Sequence, residues 1–315
     1  MGAYFARRLV SLPLTAVAVL TILFFVLRLV PGDPAILILG EYASPERVET
    51  LRHDLGLDRP LIRQYGDYLL SVVRGNLGAS LRTGHSVLGD IAEVLPHTLM
   101  LAAGGMVIAL LLGIPLGVLA ATFRGRAADA AASLLCLAGQ SMPVFLLGLI
   151  LLLVFSYYLA WLPVLGAGRP GDLWNNAVHL LLPSLTIGMT VMGPIGRMTR
   201  SSLLETMNQD YIRTARAKGV AELSLVCKHA LRNALLPVVT VASLNIGYLI
   251  GGAIVTETMF SRPGLGRLLI EAIFARDYPE IQGVVVVFAL GFILVNLLTD
   301  LAYGLIDPRV SMGSG

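Results

Sequence analysis

The chain has 315 residues, of which 56% are hydrophobic and 14% are charged, and its mean hydropathy is +0.78. Soluble globular domains contain roughly 25% charged residues, so this composition excludes an ordinary soluble protein and indicates a membrane protein. The formal net charge of +3 does not predict nucleic-acid binding, because the basic residues lie in the gaps between apolar stretches and form no groove-reading motif.

The first apolar stretch follows Arg7 and Arg8 and runs from about Leu9 to Val30. Its length is sufficient to cross a hydrocarbon core of about 30 Å at a rise of about 1.5 Å per residue. A cleaved signal peptide is the alternative, but the stretch is too long and no small-residue cleavage site follows it. We therefore predict a first transmembrane helix within residues 1–30 that runs from the inside to the outside.

Residues 31–96 have the composition of a soluble segment, with acidic and basic residues spaced throughout. Ser44 followed by Pro45 is typical of a helix start, and Gly56 and Gly75 are typical of helix ends. We predict an external helical insert with two short helices.

Five further apolar stretches predict a core at residues 97–306, which gives six transmembrane helices in an all-α fold. They cover approximately 98–123, 131–159, 179–196, 233–259 and 281–306. Lysine and arginine concentrate in the gaps that would face the inside, above all in the loop 200–232. Both termini, including the tail 307–315, are therefore predicted to be cytoplasmic.

The sequence lacks the motifs of the common nucleotide-binding and hydrolytic enzymes. Its only lysines, Lys218 and Lys228, are not part of a phosphate-binding loop, and neither a His-Glu-x-x-His zinc site nor a Gly-x-Ser-x-Gly nucleophile elbow occurs. Cys136 and Cys227 have no metal-ligand spacing. We predict no catalytic residue and no metal site in this chain.

The basic loop predicts a short helix, because Asn208 or Asp210 can cap its start and Gly219 can end it. Small side chains on one face would let a partner approach closely, and this face consists of Ile212, Ala215, Arg216 and Gly219. A second amphipathic helix is predicted from Leu223 to Ala234, leading into the fifth span. The alternative is a solvated loop that only fixes the membrane topology.

Several segments resemble the ATP-binding-cassette importer permeases of the dipeptide, oligopeptide and nickel branch. The loop supplies Arg213-Thr214-Ala215-Arg216-Ala217-Lys218-Gly219 and Lys228-His229-Ala230-Leu231-Arg232-Asn233-Ala234-Leu235-Leu236-Pro237. Further matches are Pro31-Gly32-Asp33-Pro34, Leu55-Gly56-Leu57-Asp58-Arg59-Pro60-Leu61, Pro263-Gly264-Leu265-Gly266-Arg267-Leu268, Arg276-Asp277-Tyr278-Pro279 and Asp307-Pro308-Arg309. The wider superfamily begins the loop motif with Glu-Ala-Ala, whereas this chain has Arg213-Thr214-Ala215, as the peptide branch usually does.

The resemblance implies a type I importer permease in a bacterial inner membrane, surrounded by lipid. It implies a second homologous permease subunit, two ATPase subunits and an external solute-binding protein, with no nucleic acid. ATP and Mg would bind to the ATPases, and this chain would bind no cofactor. The implied substrates are dipeptides or oligopeptides, with nickel, glutathione or another small solute as the alternative. The coupling residues would be Asp210, Tyr211, Ile212, Arg213, Thr214, Ala215, Arg216, Ala217, Lys218 and Gly219.

Polar residues inside the spans are candidates for the translocation path, because polar and ionisable groups within a membrane are expensive and often functional. They are Gln140, Ser141, Asn245, Glu257, Asn296 and Asp300. Hydrogen bonding between helices is the alternative role for each of them. The insert could contact the binding protein or act as a structural cap. A secondary transporter driven by an ion gradient, or a structural scaffold, would leave the basic loop without a role.

Overall fold

The computed structural model describes residues 2–29, 34–39, 43–54 and 56–306. These residues are helical or irregular apart from an isolated bridge between Ala79 and Ser86, so the all-α prediction is confirmed for them. The matches at Pro31-Gly32-Asp33, Leu55 and the tail 307–315 lie outside the described residues. The elements are α1 (Gly2–Leu29), α2 (Pro34–Leu39), α3 (Pro45–Asp54), α4 (Leu61–Val73), α5 (Val87–Thr122), α6 (Ala127–Ser141), α7 (Val144–Leu152), a π-helix π1 (Leu153–Tyr158), α8 (Leu173–Met207), α9 (Asp210–Ala217), α10 (Glu222–Ser224), a π-helix π2 (Leu225–Ala230), α11 (Leu231–Met259), α12 (Leu265–Phe274) and α13 (Tyr278–Ile306).

Four helical stretches in the described part of the chain are long and apolar enough to cross a membrane: Val87–Thr122, Leu173–Met207, Glu222–Met259 and Tyr278–Leu297. A fifth span results if α6 and the helix from Val144 to Tyr158 count as one broken span, bent by 108°. Within α1 the apolar stretch Pro13–Val26 is shorter. The chain is thus a helical protein with several spans, and the count of six remains a prediction.

The break between α6 and α7 differs from the continuous span predicted at 131–159. Met142 has an extended backbone with ψ of 132°, and Pro143 follows with φ of −56° and ψ of 136°. Proline supplies no backbone N–H and disfavours a helical conformation in the residue before it. These two effects end α6 at Ser141 and let the chain turn sharply before α7.

The described chain divides into two compact units, and the first comprises Met1–Pro96 and Gly264–Leu294. Here α4 packs on α1: the rings of Phe24 and Tyr65 lie 5.3 Å apart, and the Tyr65 hydroxyl lies 2.6 Å from Thr21 Oγ1. Burial raises the pKa of the Tyr68 hydroxyl to about 12. The predicted helical insert is therefore ordered against the first helix. Its helices α3 and α4 end close to Gly56 and Gly75, which have φ of 65° and 73°.

The start of α13 is fixed within the same unit by Asp277. Its carboxylate accepts hydrogen bonds from Ser80 Oγ at 2.6 Å and from the Arg82 backbone N–H at 3.1 Å. Val87, Ile91, Leu265 and Val284 form a buried cluster in this unit. Residues from the start of α5 and from the segment after α11 thus share one core.

The second unit comprises His97–Pro263 and Val295–Gly315 and has its core between α5, α8 and α11. Small residues allow α5 and α8 to approach closely at Gly113 and Gly117. A Cβ atom on Gly117 would lie 2.5 Å from the Gly196 carbonyl oxygen, and one on Gly113 would lie 2.9 Å from the Met192 carbonyl oxygen. Backbone therefore meets backbone at this interface.

We expect Gly117→Ala to destabilise the protein by about 1–3 kcal/mol, because the added methyl group must displace the backbone of α8. The matched control is Gly251→Ala on α11, where no atom lies within 4 Å of the added Cβ. Thermal unfolding of the purified permease in detergent measures both changes. Equal melting temperatures for the two variants would contradict the close packing of α5 on α8.

Candidate coupling site and transport path

The short helix α9 occupies the position that the sequence predicts for a coupling helix. It runs from Asp210 to Ala217, and Gly219 follows with φ of 80°, a conformation that suits glycine at a helix end. Gln209 occupies the N-cap position without a side-chain hydrogen bond to the helix. Asn208 instead ends α8, where its side-chain amide donates to the Leu204 carbonyl at 3.0 Å.

The inner face of α9 is anchored by Ile212, which is completely buried. Its side chain belongs to a cluster of buried residues from five segments, and the half-buried Ala215 packs against the same cluster. The other buried members are Ala121, Leu203, Leu225, Val226, Ala230 and Ala234. The face that the sequence predicts for a partner therefore points, at Ile212 and Ala215, into the protein itself.

The outer face of α9 is polar and basic. Asp210, Arg213, Thr214, Ala217 and Lys218 are exposed, and their spacing of three and four residues places them on one side of the helix. Arg213 Nη1 lies 3.6 Å from Asp210 Oδ1. No atom lies within 4 Å of a Cβ built on Gly219, so the chain leaves open space there. A soluble partner can reach this face without rearrangement of the helix.

Two polar contacts connect α9 to the segment that leads into α11. Asn233 Nδ2 donates a hydrogen bond to the Tyr211 hydroxyl at 2.8 Å. Arg216 Nε donates to Glu222 Oε1 at 2.6 Å, and this bond raises the pKa of the guanidinium above its ordinary value. Glu222 and Asn233 were missed by the sequence analysis as parts of this site, although Asn233 lies inside the motif that carries the resemblance.

The segment from Glu222 to Met259 begins with α10 and the π-helix π2 before α11 follows. The sequence predicts an amphipathic α-helix here, with an apolar face formed by Leu223, Val226, Cys227, Ala230, Leu231 and Ala234. In the structure Leu225 and Val226 are buried, whereas Leu223 and Cys227 are exposed. The wider turn of a π-helix alters the three- and four-residue periodicity on which the prediction depends.

A cavity of about 690 Å³ lies beside this segment, between the ends of α5 and α8. Its lining is mainly apolar, and its charged residues, Arg216 and Glu222, are paired with each other. The cavity offers apolar contact and little for a polar solute to bind.

The candidate path residues occupy different environments. Gln140 and Ser141 are exposed at the break between α6 and α7. Asn245 donates to the Val241 carbonyl of its own helix at 2.7 Å. Glu257 is completely buried and accepts a hydrogen bond from Thr98 Oγ1 at 2.6 Å, which is the interhelical role considered above. Asn296 is half-buried, and the side chain of Asp300 lies outside the described residues.

Two known protein families match most of the chain. Residues 113–312 match the family described as "Binding-protein-dependent transport system inner membrane component". Residues 1–102 match a second family, described as the N-terminal part of such membrane components. The chain belongs to the binding-protein-dependent transport system inner membrane components.

The curated relatives support the same assignment over the full length. The glutathione transport system permease protein GsiC of Escherichia coli (strain K12) is 43% identical over 307 residues, which is 98% of each chain. GsiC of Pectobacterium atrosepticum gives the same identity and coverage. Among solved structures, an inward-facing conformation of the MetNI methionine ABC transporter has a TM-score of 0.57 at 19% identity. It covers 69% of this chain and 96% of that chain, and it supports the fold alone.

The chain is therefore an inner-membrane permease subunit of an ABC importer with the type I permease fold. Such a permease works together with ATPase subunits and a solute-binding protein.

Proposed function

We propose that this permease imports short peptides and that glutathione, a tripeptide, is a substrate. The supporting observation is the 43% identity over 98% of the chain to permeases named for glutathione transport. Glutathione is both a peptide and a small solute, so it fits the predicted peptide substrates as well as the small-solute alternative. The second permease subunit would be a homologue, and two ATPases would bind ATP and Mg. This chain would bind no cofactor.

We propose further that residues 210–219 couple ATP hydrolysis to transport. The packing of Ile212 supports this role. Because its side chain lies in one cluster with residues near the ends of α5 and α8 and with residues of π2, a displacement of α9 would also move these segments. The exposed Arg213 and Lys218 can pair with carboxylates on an ATPase. The open space at Gly219 leaves room for the backbone of that partner.

The translocation path would include the break after α6, where Gln140 and Ser141 are exposed. Irregular backbone is tolerated at membrane depth only where it is buried in protein or lines a water-filled cavity. The break thus supports a path through this part of the second unit. The insert at 31–96 would contact the solute-binding protein on the outer side, and both termini would be cytoplasmic.

Replacing Gly219 with leucine should prevent the ATPases from docking productively, because its side chain would fill the open space beside α9. The positive φ also strains any residue with a Cβ, by about 1–2 kcal/mol. Gly171→Leu controls for this strain, since Gly171 has φ of 84° and likewise no atom within 4 Å of a Cβ. We expect ATPase copurification and transport to fall for Gly219→Leu alone. Unchanged assembly and peptide-stimulated hydrolysis in that variant would refute the docking assignment.

Purified complex in proteoliposomes should take up labelled glutathione only when its binding protein and ATP are present. Mutation of the phosphate-loop lysine in the ATPases should abolish this uptake, because the permease has no energy source of its own. Unlabelled dipeptides, longer peptides, haem and nickel ions, added in competition, define the range of substrates. Uptake driven by an ion gradient without ATP would contradict the mechanism. Failure of the complete system to bind or take up glutathione would contradict the proposed substrate.

Labelling of Cys227 tests the predicted orientation. This cysteine is exposed on π2, whereas Cys136 is buried, so a membrane-impermeant thiol reagent distinguishes the two. We expect labelling in inside-out vesicles and none in spheroplasts, with the signal lost in Cys227→Ser. Labelling from the outside would place the basic loop on the wrong side of the membrane.

A further inference from the structure

An ion pair joins the inner part of α8 to the first turn of α6. Arg200 Nε donates to Asp129 Oδ1 at 2.8 Å, and Arg200 Nη2 donates to Asp129 Oδ2 at 2.9 Å. The two parallel bonds form a bidentate fork, which fixes the orientation of both side chains as well as their distance. The side chain of Asp129 is only 11% exposed.

The same carboxylate is held by two further donors. The Gly125 backbone N–H donates to Asp129 Oδ2 at 3.0 Å, and Ser133 Oγ donates to Oδ1 at 3.3 Å. Each carboxylate oxygen therefore accepts two hydrogen bonds, which uses its full acceptor capacity. The loop between α5 and α6, the first turns of α6 and the inner part of α8 meet at this one carboxylate.

The two helices also pack closely beyond the ion pair. A Cβ atom on Gly139 would lie 2.6 Å from the Met189 carbonyl oxygen, and one on Gly193 would overlap the Cys136 carbonyl oxygen. Close contact of this kind holds α6 beside α8 through van der Waals packing, because membrane helices have no hydrophobic driving force for association. The bidentate fork supplies the directional bond that resists sliding.

The location of the pair connects the candidate coupling site with the candidate path. Arg200 lies about two helical turns before the end of α8 at Met207, and α9 begins at Asp210. Asp129 lies at the start of α6, whose other end is the break beside Gln140 and Ser141. A displacement of α9 that moves the end of α8 would therefore also move α6, provided that the fork holds.

We propose that Asp129 and Arg200 are positioning residues for transport, which make α6 and α8 move as one body and so transmit displacement of α9 to the break after Ser141. This inference rests on the proposed coupling role of α9. The pair touches neither ATP nor solute. Its loss should therefore leave ATP hydrolysis in place and reduce the amount of solute moved for each ATP hydrolysed.

The test compares Asp129→Asn, Arg200→Lys and the double variant Asp129→Asn/Arg200→Lys in the complete transporter with its binding protein. Arg200→Lys keeps the charge and removes the fork geometry, since lysine presents a single ammonium group. Glu271→Gln is the control, because it breaks an exposed pair in which Arg267 Nε lies 2.7 Å from Glu271 Oε1. Glutathione uptake, ATP hydrolysis and thermal stability are measured on the same proteoliposome or detergent preparations.

We expect glutathione uptake per ATP to fall by at least about fivefold in both single variants, the lower end of typical coupling between sites. The double variant should lose no more than the worse single variant, because both remove the same interaction. Unchanged uptake per ATP in an assembled Asp129→Asn or Arg200→Lys complex would overturn the proposal. So would failure of both to assemble while Glu271→Gln assembles, which would assign the pair a purely structural role.

Gly219→Leu separates this inference from the proposed function. A defect in Gly219→Leu with normal coupling in the Asp129 and Arg200 variants refutes the positioning role alone. Normal docking and coupling in all three variants refutes the coupling role of α9 and, with it, the positioning role.

Discussion

Ile212 determines which surface of α9 a partner can reach. Burying an isoleucine side chain contributes roughly 1.5–3 kcal/mol, and here the contacts come from α5, α8, π2 and α11 together. Because Ile212 holds one side of the helix in this cluster, the charged residues at 210, 213 and 218 must point away from the bundle. The burial of Ile212 thus accounts both for the exposed face of α9 and for the attachment of this helix to the spans.

Two sets of contacts with different chemistry connect α9 to the helices of the second unit. Toward α11 the contacts are local and polar, between Tyr211 and Asn233 and between Arg216 and Glu222. Toward α6 the connection passes through α8, the backbone packing at its glycines and the fork at Asp129. A membrane bundle gains little from burying apolar surface against apolar surface, so close backbone approach and polar bonds carry the specificity of its packing.

The sequence predicts the helical fold well because span length and hydropathy depend on the bilayer rather than on tertiary detail. The helix ends at Gly56, Gly75 and Gly219 were predictable for a different reason, since each needs a positive φ that glycine adopts readily. The inner face of α9 was not, because eight residues allow several choices of face until the cluster around Ile212 is known. Likewise the break at Pro143 was not predicted, because a membrane helix tolerates proline, and the angle of 108° at this break depends on packing.

The chemistry at the break bears on how selective the permease itself can be. Gln140 and Ser141 offer neutral hydrogen-bonding groups, which can satisfy the amides of many peptides without matching one of them. Transport also requires that a solute leave the path after entering it, so tight binding at the break would slow release. Glu257 has an ionisable carboxyl group, but this group is buried and hydrogen-bonded to Thr98, so it is not accessible to a passing solute. The proposed path would therefore pass short peptides with little discrimination, and fine selection among them would fall to the solute-binding protein.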